Sequence, residues 1–432
     1  MSDEREVVVV SGVRTPFVKA HGVLGRVHPV ELGRIAVREA VERADVDPAE
    51  IDEVIVGNIG SPADAANIAR VVALGAKIPR SVPAFTVNRN CASGVESIVE
   101  AAYRIHSGDA ELIVAAAVES MSQIPFLLSE EAQRTWIRLA RARGLLAKLA
   151  ALASFRPRHF KPRVGLELGL TDPVSGLNMG QTAEVLAREF QVEREQQDAF
   201  ALRSHVRAEA AWAAGRMQPE VVPVPIPPRY ERAAERDDGI RPGQTLEALA
   251  RLRPIFDRRY GSVTAGNSSQ ITDGAAALVL ASARRARELG LPEIGRVRSW
   301  AFAGCDPARM GLGPVFATPL ALRRAGGIAL ERLGLVEINE AFAAQVLACL
   351  AAFASRSFCE DRLGSGPLGE VDPERINVNG GAIALGHPVG ATGARLALTL
   401  LGEMGRRGVD LGLVTLCVGG GQGAALVLER GA

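Results

Sequence analysis

The sequence predicts a layered α/β fold built from two similar halves, and two observations support that prediction. Apolar β-branched runs, typical of buried strands, alternate with segments whose apolar residues recur at helical spacing. The C-terminal part of the chain also repeats the order of motifs found in the N-terminal part. Alternating strands and helices pack as layers, and so long a repeat indicates duplication of a whole domain rather than a solenoid. The alternative to duplication is that the two halves resemble each other only because any two α/β units do.

The first half follows this alternation from its beginning. Residues 7–10 are apolar and β-branched, and Ser11 and Gly12 end the predicted strand. Residues 29–44 place apolar side chains at helical spacing, and residues 51–56 return to the strand pattern. The remaining predicted elements are helices over residues 62–74 and 94–105, and strands over residues 82–87 and 111–118.

The second half repeats a motif of the first. Cys91-Ala92-Ser93-Gly94 has its counterpart in Gly390-Ala391-Thr392-Gly393, and each motif opens a predicted helix that a glycine and an apolar strand follow. Two similar halves would place these helix N-termini near a shared pseudo-dyad, which would bring Cys91 and His387 together. The glycines are Gly108 and Gly408, and the strands cover residues 112–118 and 412–418.

A lobe of different composition separates the two halves. Residues 129–164 are rich in Arg, Lys, Leu and Ala, and the stretch that begins at Trp136 is predicted to be a basic amphipathic helix. Residues 181–212 are strongly helical in pattern, whereas residues 219–243 have the proline and charge of a loop. The predicted division is an N-terminal half over residues 1–121 completed by 255–289, an inserted loop domain over 122–254, and a C-terminal half over 290–432.

Composition narrows the classes of function. The chain has 432 residues with 50 basic and 49 acidic side chains, so its charge gives no reason to expect a nucleic-acid partner. Five cysteines without paired spacing argue against a disulfide framework and a metal site, and fit a reducing compartment. The charged N-terminus passes directly into a strand, and no apolar run reaches the roughly 18 residues of a membrane span. A cytoplasmic protein is therefore expected.

Cys91 is the first candidate for chemistry. It lies between the strand predicted over residues 82–87 and the helix over 94–105, where exposed N–H groups and the helix dipole favour thiolate over thiol. The small residues 92–94 leave room for a tight turn and for close approach of a substrate. The alternative is a buried cysteine that packs as a small apolar side chain.

Two glycine-rich motifs near the C-terminus supply further reactive groups. His387 lies in a glycine-rich turn over residues 379–393, and Cys417 ends a strand that runs into Gly419-Gly420-Gly421. Two cysteines, one histidine and a run of backbone N–H groups suited to an oxyanion hole are what acyl transfer through a thioester requires. The alternatives are a turn histidine and a strand-end cysteine that only pack.

These motifs, together with Asn339-Glu340-Ala341-Phe342, resemble the signatures of the thiolase family, in family order, and the resemblance runs from Val7 to Glu429. It implies a duplicated thiolase fold, in which two βαβαβαββ halves form five αβαβα layers, with an inserted loop domain. It also implies a 3-ketoacyl-CoA thiolase (acetyl-CoA C-acyltransferase) of fatty-acid β-oxidation, which cleaves 3-ketoacyl-CoA with coenzyme A.

The resemblance implies a role for each catalytic candidate. Cys91 would be acylated, His387 would take the Cys91 proton and help polarise a thioester oxygen, and Cys417 would carry the proton of the second substrate. Asn339 would hold a water that completes one oxyanion hole. The backbone N–H groups of Cys91 and Gly419 would form the other oxyanion hole.

Coenzyme A and acyl-CoA are the expected substrates, and no tightly bound cofactor is expected. Ser269 and Met179 match family residues that contact the pantetheine or line its tunnel. Asn178 stands where many short-chain biosynthetic members have histidine, so the chain departs from the family pattern at that pantetheine contact. Arg229 and Arg232 are candidates for contacts with the nucleotide phosphates, although a solvated charged face is the simpler account of them.

Three alternative functions remain open. An acetoacetyl-CoA thiolase (acetyl-CoA C-acetyltransferase) would form acetoacetyl-CoA by Claisen condensation. The Asn-Glu-Ala-Phe motif is typical of ordinary thiolases, whereas the long lobe resembles the β-subunits of fatty-acid oxidation complexes. A decarboxylating ketoacyl synthase would have histidine or asparagine in place of Cys417. A non-catalytic acyl-CoA carrier would lack Cys91, His387 or Cys417.

The expected partners are further copies of the chain and, through the lobe, another surface. Residues 82–87 would be hazardous as an exposed apolar edge, so a homodimer or homotetramer is expected. In residues 134–163 basic residues alternate with leucines, so a helix there would carry one cationic and one apolar face. The apolar face either packs on the enzyme's own core, or the lobe docks to a membrane surface or a hydratase/dehydrogenase subunit, as the resemblance to β-subunits implies.

Overall fold

The computed structural model describes residues 3–431, and its strands and helices alternate as the sequence predicts. The strands are β1 (Val7–Arg14), β2 (Val18–Lys19), β3 (Glu53–Gly57), β4 (Ala84–Val87), β5 (Leu112–Ser120), β6 (Phe126–Leu127), β7 (Arg163–Val164), β8 (Val224–Pro225), β9 (Ala233–Ala234), β10 (Thr272–Ser282), β11 (Gly295–Gly304), β12 (Leu335–Ile338), β13 (Leu411–Val418) and β14 (Gln422–Arg430). The α-helices are α1 (Pro29–Ala44), α2 (Ile68–Gly75), α3 (Ser93–Ser107), α4 (Glu130–Arg141), α5 (Leu145–Ala153), α6 (Gly165–Gly169), α7 (Met179–Glu189), α8 (Arg194–Ala213), α9 (Leu246–Ala250), α10 (Ala283–Leu289), α11 (Gly313–Arg324), α12 (Ala343–Ala354), α13 (Arg356–Leu363), α14 (Ala382–Leu385) and α15 (Thr392–Arg407).

One continuous sheet runs through both halves. In the first half, β3 pairs parallel with β4 and β5, and β10 pairs antiparallel with β5 and β1. The second half repeats this order, because β12 pairs parallel with β13, and β14 pairs antiparallel with β13 and β11. The halves meet where residues 7–9 of β1 pair with residues 295–297 of β11. The counterpart of β4 is reduced to a parallel bridge between Val336 and Ile376.

The helices form three layers around the sheet. α1 and α2 pack on the outer face of the first half, α11 and α12 lie on the outer side of the second half, and α3 and α15 lie together between the halves. Ile98 of α3, Leu400 of α15 and Leu416 of β13 belong to one buried cluster in this central layer. The layers therefore alternate αβαβα, and the predicted duplicated fold is confirmed.

The helix ends follow from local chemistry, while two predicted boundaries were wrong. α3 is followed by Gly108 and α15 by Gly408, both in the left-handed conformation that glycine adopts without strain. β1 continues past Ser11 to Arg14, because a β-bulge after Val9 shifts the register and allows the strand to go on pairing with β10. The helix predicted over residues 62–74 begins only at Ile68, where the side chain of Asn67 caps it. The helical pattern over residues 181–212 divides into α7 and α8.

The inserted lobe corrects the prediction for its basic segment. The single amphipathic helix expected in residues 134–163 is two helices, α4 and α5, separated at Gly144. The φ of +83° at Gly144 is incompatible with a continuous right-handed helix. The lobe is tied to the core by the buried Arg14 of β1, which lies 2.6 Å from Glu220 and 2.7 Å from Asp237.

The division into two halves and an inserted domain stays a prediction, and its end points at residues 1 and 432 lie outside the described residues. Over residues 3–431, no helix combines the length and the apolar composition needed to cross a membrane.

Candidate active site

The central helices bring the reactive residues of the two halves together. α3 and α15 approach each other at their N-termini through glycines. A Cβ atom added at Gly94 would lie 2.5 Å from the backbone N of Ala394, and one added at Gly393 would lie 2.6 Å from the backbone N of Val95. Any larger residue would force the helices apart. Cys91 lies just before one of these N-termini, and the His387 loop leads into the other.

A cavity of about 490 Å³ opens at this junction. Cys91, His387 and Cys417 all line it, as do the two pantetheine candidates Ser269 and Met179. A single concave site with a few convergent polar groups among apolar ones is the usual form of a small-molecule site. The apolar part of its wall comes from Met121, Leu170, Phe256, Ile271, Met310, Phe342 and Val389.

His387 is buried and held by hydrogen bonds on both ring nitrogens. Nδ1 lies 2.6 Å from Oγ1 of Thr392, and Nε2 lies 3.4 Å from Nδ2 of Asn339. The Thr392 hydroxyl can donate to the Pro388 carbonyl at 3.3 Å, so this network assigns the proton to Nδ1 and leaves Nε2 as the acceptor. Burial, with a smaller effect of Arg395, lowers the pKa of His387 to about 3. The ring is therefore a neutral base at physiological pH.

The environment of Cys91 differs from the expectation that its position favours thiolate. Burial raises the pKa of the thiol, and the charge of Glu119 acts in the same direction. The backbone N–H groups of Gly419 and of Cys91 itself interact with the sulfur and oppose this shift, but they do not outweigh it. The Gly419 segment is fixed by Nδ2 of Asn90, which donates to the Gly419 carbonyl at 2.8 Å. Cys91 and His387 therefore start as a neutral thiol and a neutral imidazole.

Cys417 is fully buried at the end of β13. Burial, followed by the nearby Cys91, raises the pKa of the Cys417 thiol well above its usual value. The side chain therefore holds its proton strongly, and it can give that proton up only to a strong base such as a carbanion.

Asn339 is buried behind His387 and does not line the cavity itself. Its Oδ1 is a buried acceptor without a hydrogen-bond partner in residues 3–431. An unsatisfied buried acceptor suits a bound water, as the role predicted for Asn339 requires. The neighbouring Glu340 accepts hydrogen bonds from Ser204 at 2.6 Å and from Asn377 at 2.8 Å, which ties the Asn339 motif to the lobe and to the second half.

The coenzyme A candidates divide into two groups. Ser269 and Met179 line the cavity. Asn178 also reaches it, but its Oδ1 accepts from the backbone N of Gln181 at 2.9 Å and caps α7, so this side chain is engaged in the fold. Arg229 and Arg232 are exposed in the turn between β8 and β9 and do not contribute to the cavity wall.

Sequence reasoning missed two residues of the site. Thr392 orients His387, and its signal was present in the Gly-Ala-Thr-Gly motif, which was interpreted only as the start of a helix. Glu119 lies near the end of β5, one residue beyond the strand predicted over residues 111–118. The signal for it was a charged residue directly after an apolar run that was predicted to be buried.

Comparisons with known proteins cover nearly the whole chain. Residues 7–284 match the family model "Thiolase, N-terminal domain", and residues 291–430 match "Thiolase, C-terminal domain". The chain is 42% identical to a 3-ketoacyl-CoA thiolase of Aeromonas salmonicida (strain A449) and 43% identical to one of Yersinia pestis (strain Pestoides F), in each case over 98% of this chain and 96% of the relative. Among solved structures, it is similar to human mitochondrial 3-ketoacyl-CoA thiolase in complex with CoA (TM-score 0.85, 36% identity, 100% of each chain covered). It is likewise similar to the Bacillus anthracis acetyl-CoA acetyltransferase (TM-score 0.86, 39% identity, 98% of each chain covered).

Proposed function

Because the chain belongs to the thiolase family, we propose that it is a 3-ketoacyl-CoA thiolase of fatty-acid β-oxidation. This acyltransferase uses coenzyme A to cleave 3-ketoacyl-CoA into acetyl-CoA and a shortened acyl-CoA. The observation that carries the proposal is the convergence of Cys91, His387 and Cys417 on one cavity. A ketoacyl synthase would have histidine or asparagine in place of Cys417, and a carrier protein would not need the three groups together.

The geometry supports a defined first half-reaction. His387 takes the thiol proton of Cys91 on Nε2, and the resulting thiolate attacks the 3-keto carbon. The bond between C2 and C3 then breaks, its electron pair passes to C2, and the Cys417 thiol protonates C2 to give acetyl-CoA. The shortened acyl group remains on Cys91 as a thioester. Burial keeps the proton on Cys417 until a carbanion forms, which suits a general acid for carbon.

The second half-reaction uses the same groups in reverse. The thiol of coenzyme A gives its proton to the Cys417 thiolate, and its sulfur attacks the acyl group on Cys91. The Cys91 thiolate leaves and recovers its proton from His387, so all groups return to their initial state.

The backbone N–H groups of Cys91 and Gly419 are suited to one oxyanion hole, and His387 with a water on Asn339 is suited to the other. Ser269 and Met179 contact the pantetheine, and no metal or tightly bound cofactor takes part.

Thiolysis of 3-ketoacyl-CoA substrates of increasing chain length tests the proposal. We expect loss of the enolate absorbance with coenzyme A present, and kcat/KM that rises beyond the four-carbon substrate. Activity confined to acetoacetyl-CoA would favour the alternative, an acetoacetyl-CoA thiolase that works by Claisen condensation. The absence of coenzyme A-dependent cleavage for every chain length would refute both functions.

The assembly we propose is a homodimer or homotetramer formed through the edge of the first half. All four residues of β4 are only half-buried, and within residues 3–431 no strand pairs with its outer edge. The other end of the sheet is different, because the bridge at Ile376 covers β12. An open apolar edge tends to pair with another chain. Light scattering at micromolar concentration should therefore give at least a dimer, and a monomer would contradict this proposal.

The second proposed contact involves the hairpin formed by α4 and α5. Most of its large apolar side chains are exposed, which contradicts the prediction that the apolar face packs on the enzyme's own core. Leu145 is 74% and Leu146 is 83% exposed, and Leu149 and Leu152 are also exposed. In the described chain, Arg138, Arg141 and Arg143 have no carboxylate within salt-bridge distance. Apolar side chains beside unpaired cations suit an anionic membrane surface.

Docking to a hydratase/dehydrogenase subunit stays a prediction. The cytoplasmic location also stays a prediction.

A further inference from the structure

Glu119 is a buried carboxylate beside the active site that none of the proposed steps uses. It lies at the end of β5, has 0% exposure, and has no cationic side chain within salt-bridge distance in residues 3–431. Burying a carboxylate is costly unless hydrogen-bond donors surround it. Its location therefore requires an explanation beyond packing.

The donors around Glu119 come from two loops. In the first half, the loop after β3 gives it the backbone N of Ile59 at 3.0 Å and that of Gly60 at 2.9 Å. In the second half, the backbone of Gly390 packs closely against the carboxylate, because a Cβ atom added at Gly390 would lie 2.6 Å from Oε2 of Glu119, and the Gly390 N–H lowers the pKa of Glu119. One carboxylate therefore contacts both halves of the chain.

Both loops lead directly to reactive groups. Gly390 follows His387 by three residues. The backbone N of Asn58 donates to the carbonyl of Val87 at 3.1 Å, at the end of the strand that precedes Cys91. The carboxylate is thus connected on one side to the loop of the base and on the other to the strand end of the nucleophile.

From these contacts we propose that Glu119 is a positioning residue, whose carboxylate holds the His387 loop at a fixed distance from Cys91. The inference rests on the proposed thiolase function. Proton transfer between a thiol and an imidazole depends steeply on their separation, so a small displacement of the loop would slow acylation. Binding of coenzyme A would change little, because Glu119 is not part of the cavity wall to which Ser269 and Met179 belong.

The charged surroundings of Glu119 indicate a second, measurable effect. Burial raises the pKa of Glu119 to about 7, although the backbone N–H groups of Gly60, Ile59 and Gly390 act to lower it, and Asp273 on β10 adds to the increase. When ionised, Glu119 in turn raises the pKa of the Cys91 thiol. Removing its charge should therefore make the Cys91 thiolate easier to form while the site turns over more slowly.

Two variants test the proposal. Glu119→Gln keeps the shape but turns an amide N–H₂ toward N–H donors, and Gly390→Ala keeps the charge but pushes a methyl group against the carboxylate. We expect kcat to fall by about ten-fold or more in both, with KM for coenzyme A changed by less than about two-fold. If Glu119→Gln does not fold, Gly390→Ala decides the question. A kcat within two-fold of wild type in the folded variants would overturn the proposal.

Alkylation of Cys91 by iodoacetamide as a function of pH provides a readout that needs no substrate. The midpoint should move to lower pH in Glu119→Gln, where the charge is lost, and stay unchanged in Gly390→Ala. If the wild-type enzyme cleaves no 3-ketoacyl-CoA, the proposed function is refuted. The alkylation comparison then decides by itself whether Glu119 acts on Cys91. Equal midpoints in Glu119→Gln and wild type would overturn that link.

The matched control is Asp273→Asn, which neutralises another carboxylate at the same end of the sheet. Asp273 accepts hydrogen bonds from the backbone N of Ser122 at 2.9 Å and from Oγ of Ser120 at 3.3 Å, and within residues 3–431 its carboxylate has no hydrogen bond to the His387 loop. We expect its kcat to stay within about two-fold of wild type. An equal loss of kcat in this control and in Glu119→Gln would mean that loss of any buried charge is sufficient, and would overturn a specific role for Glu119.

Discussion

The central helix pair and the surface hairpin are built from similar sequence patterns but have opposite environments. α3 and α15 meet closely at Gly94 and Gly393, and sheet covers both of their outer sides. In α4 and α5, by contrast, the buried residues are Ala132, Thr135 and Ala151, and most leucines face solvent. Amphipathic spacing therefore does not by itself indicate where a helix packs.

This difference in packing indicates that the two regions have different functions. Close packing on both sides fixes the N-termini of α3 and α15, which suits groups that must transfer protons over short distances. The exposed hairpin has no such constraint, and its apolar and cationic surface is available to another surface. Changes at the central pair should therefore affect chemistry, and changes at the hairpin should affect only docking.

The largest expected effect is that of Cys91→Ser, next to the N-terminus of α3. A serine hydroxyl loses its proton far less readily than a thiol, and the neutral His387 cannot compensate. We expect turnover to fall by more than about 10³-fold. Circular dichroism and the thermal midpoint should stay at their wild-type values, because the side chains are nearly isosteric. Normal turnover in this variant would exclude Cys91 as the nucleophile.

Cys417→Ala should separate the two half-reactions. The nucleophile and its base remain, so acyl transfer from acetyl-CoA to Cys91 should persist as a stoichiometric burst, because its leaving group is the coenzyme A thiolate and no carbanion has to be protonated. The steady-state rate of 3-ketoacyl-CoA cleavage, which needs the acid for carbon, should fall by about 10²-fold to 10⁴-fold. Rapid-quench measurement with acetyl-CoA detects the burst, and steady-state thiolysis of 3-ketoacyl-CoA detects the loss. Cys359→Ala is the matched control, since it removes another fully buried thiol outside the cavity. An unchanged steady-state rate in Cys417→Ala would exclude it as the second acid and base.

A smaller loss is expected from Thr392→Val at the N-terminus of α15. Valine keeps the shape but removes the oxygen that accepts from Nδ1 of His387 at 2.6 Å. Without this partner the ring can adopt the other tautomer, with its proton on Nε2, where it cannot act as the base. We expect kcat to fall by about ten-fold with KM unchanged. Ser in place of Thr392 should restore kcat, and no rescue would contradict an orienting role.

Much of the central layer was predictable because its signals are local. The glycines that follow α3 and α15 and the small residues before each helix require a particular backbone, so the sequence indicated both helices and their similarity. The same motifs indicated Cys91, His387 and Cys417. The hydrogen bond between Thr392 and His387 is local, but its geometry depends on the conformation of the loop between them, which the sequence does not specify. The contact of Glu119 with Gly390 was not predictable, because it depends on the packing of one half against the other.

The hairpin was predicted less well for a related physical reason. Helical periodicity gave an apolar face for residues 134–163, but periodicity contains no information about what covers that face. The break at Gly144 was also missed, although glycine within a helical pattern is a common break. The pKa of Cys91 was predicted in the wrong direction, because the helix dipole is visible in the sequence whereas burial is a property of the assembled fold.

The smallest effect on chemistry is expected when Arg138, Arg141 and Arg143 are all replaced by glutamine. At about 1 kcal/mol for each arginine near an anionic surface, their loss should weaken binding to phosphatidylcholine vesicles that contain phosphatidylglycerol by about a hundred-fold, and added salt should weaken wild-type binding in the same way. Thiolysis of short substrates should not change, because none of these arginines lines the catalytic cavity.

The matched control for this hairpin variant replaces Arg323, Arg332 and Arg362, three exposed arginines outside the hairpin, so that net charge changes equally. If both triple variants lose vesicle binding to the same extent, net charge alone is responsible and the hairpin is not a docking surface. Wild type that binds a hydratase/dehydrogenase subunit but no vesicle would assign the hairpin to that partner. Wild type that binds neither at low salt would leave the hairpin as a structural element, and the contrast with the central pair would then concern packing alone.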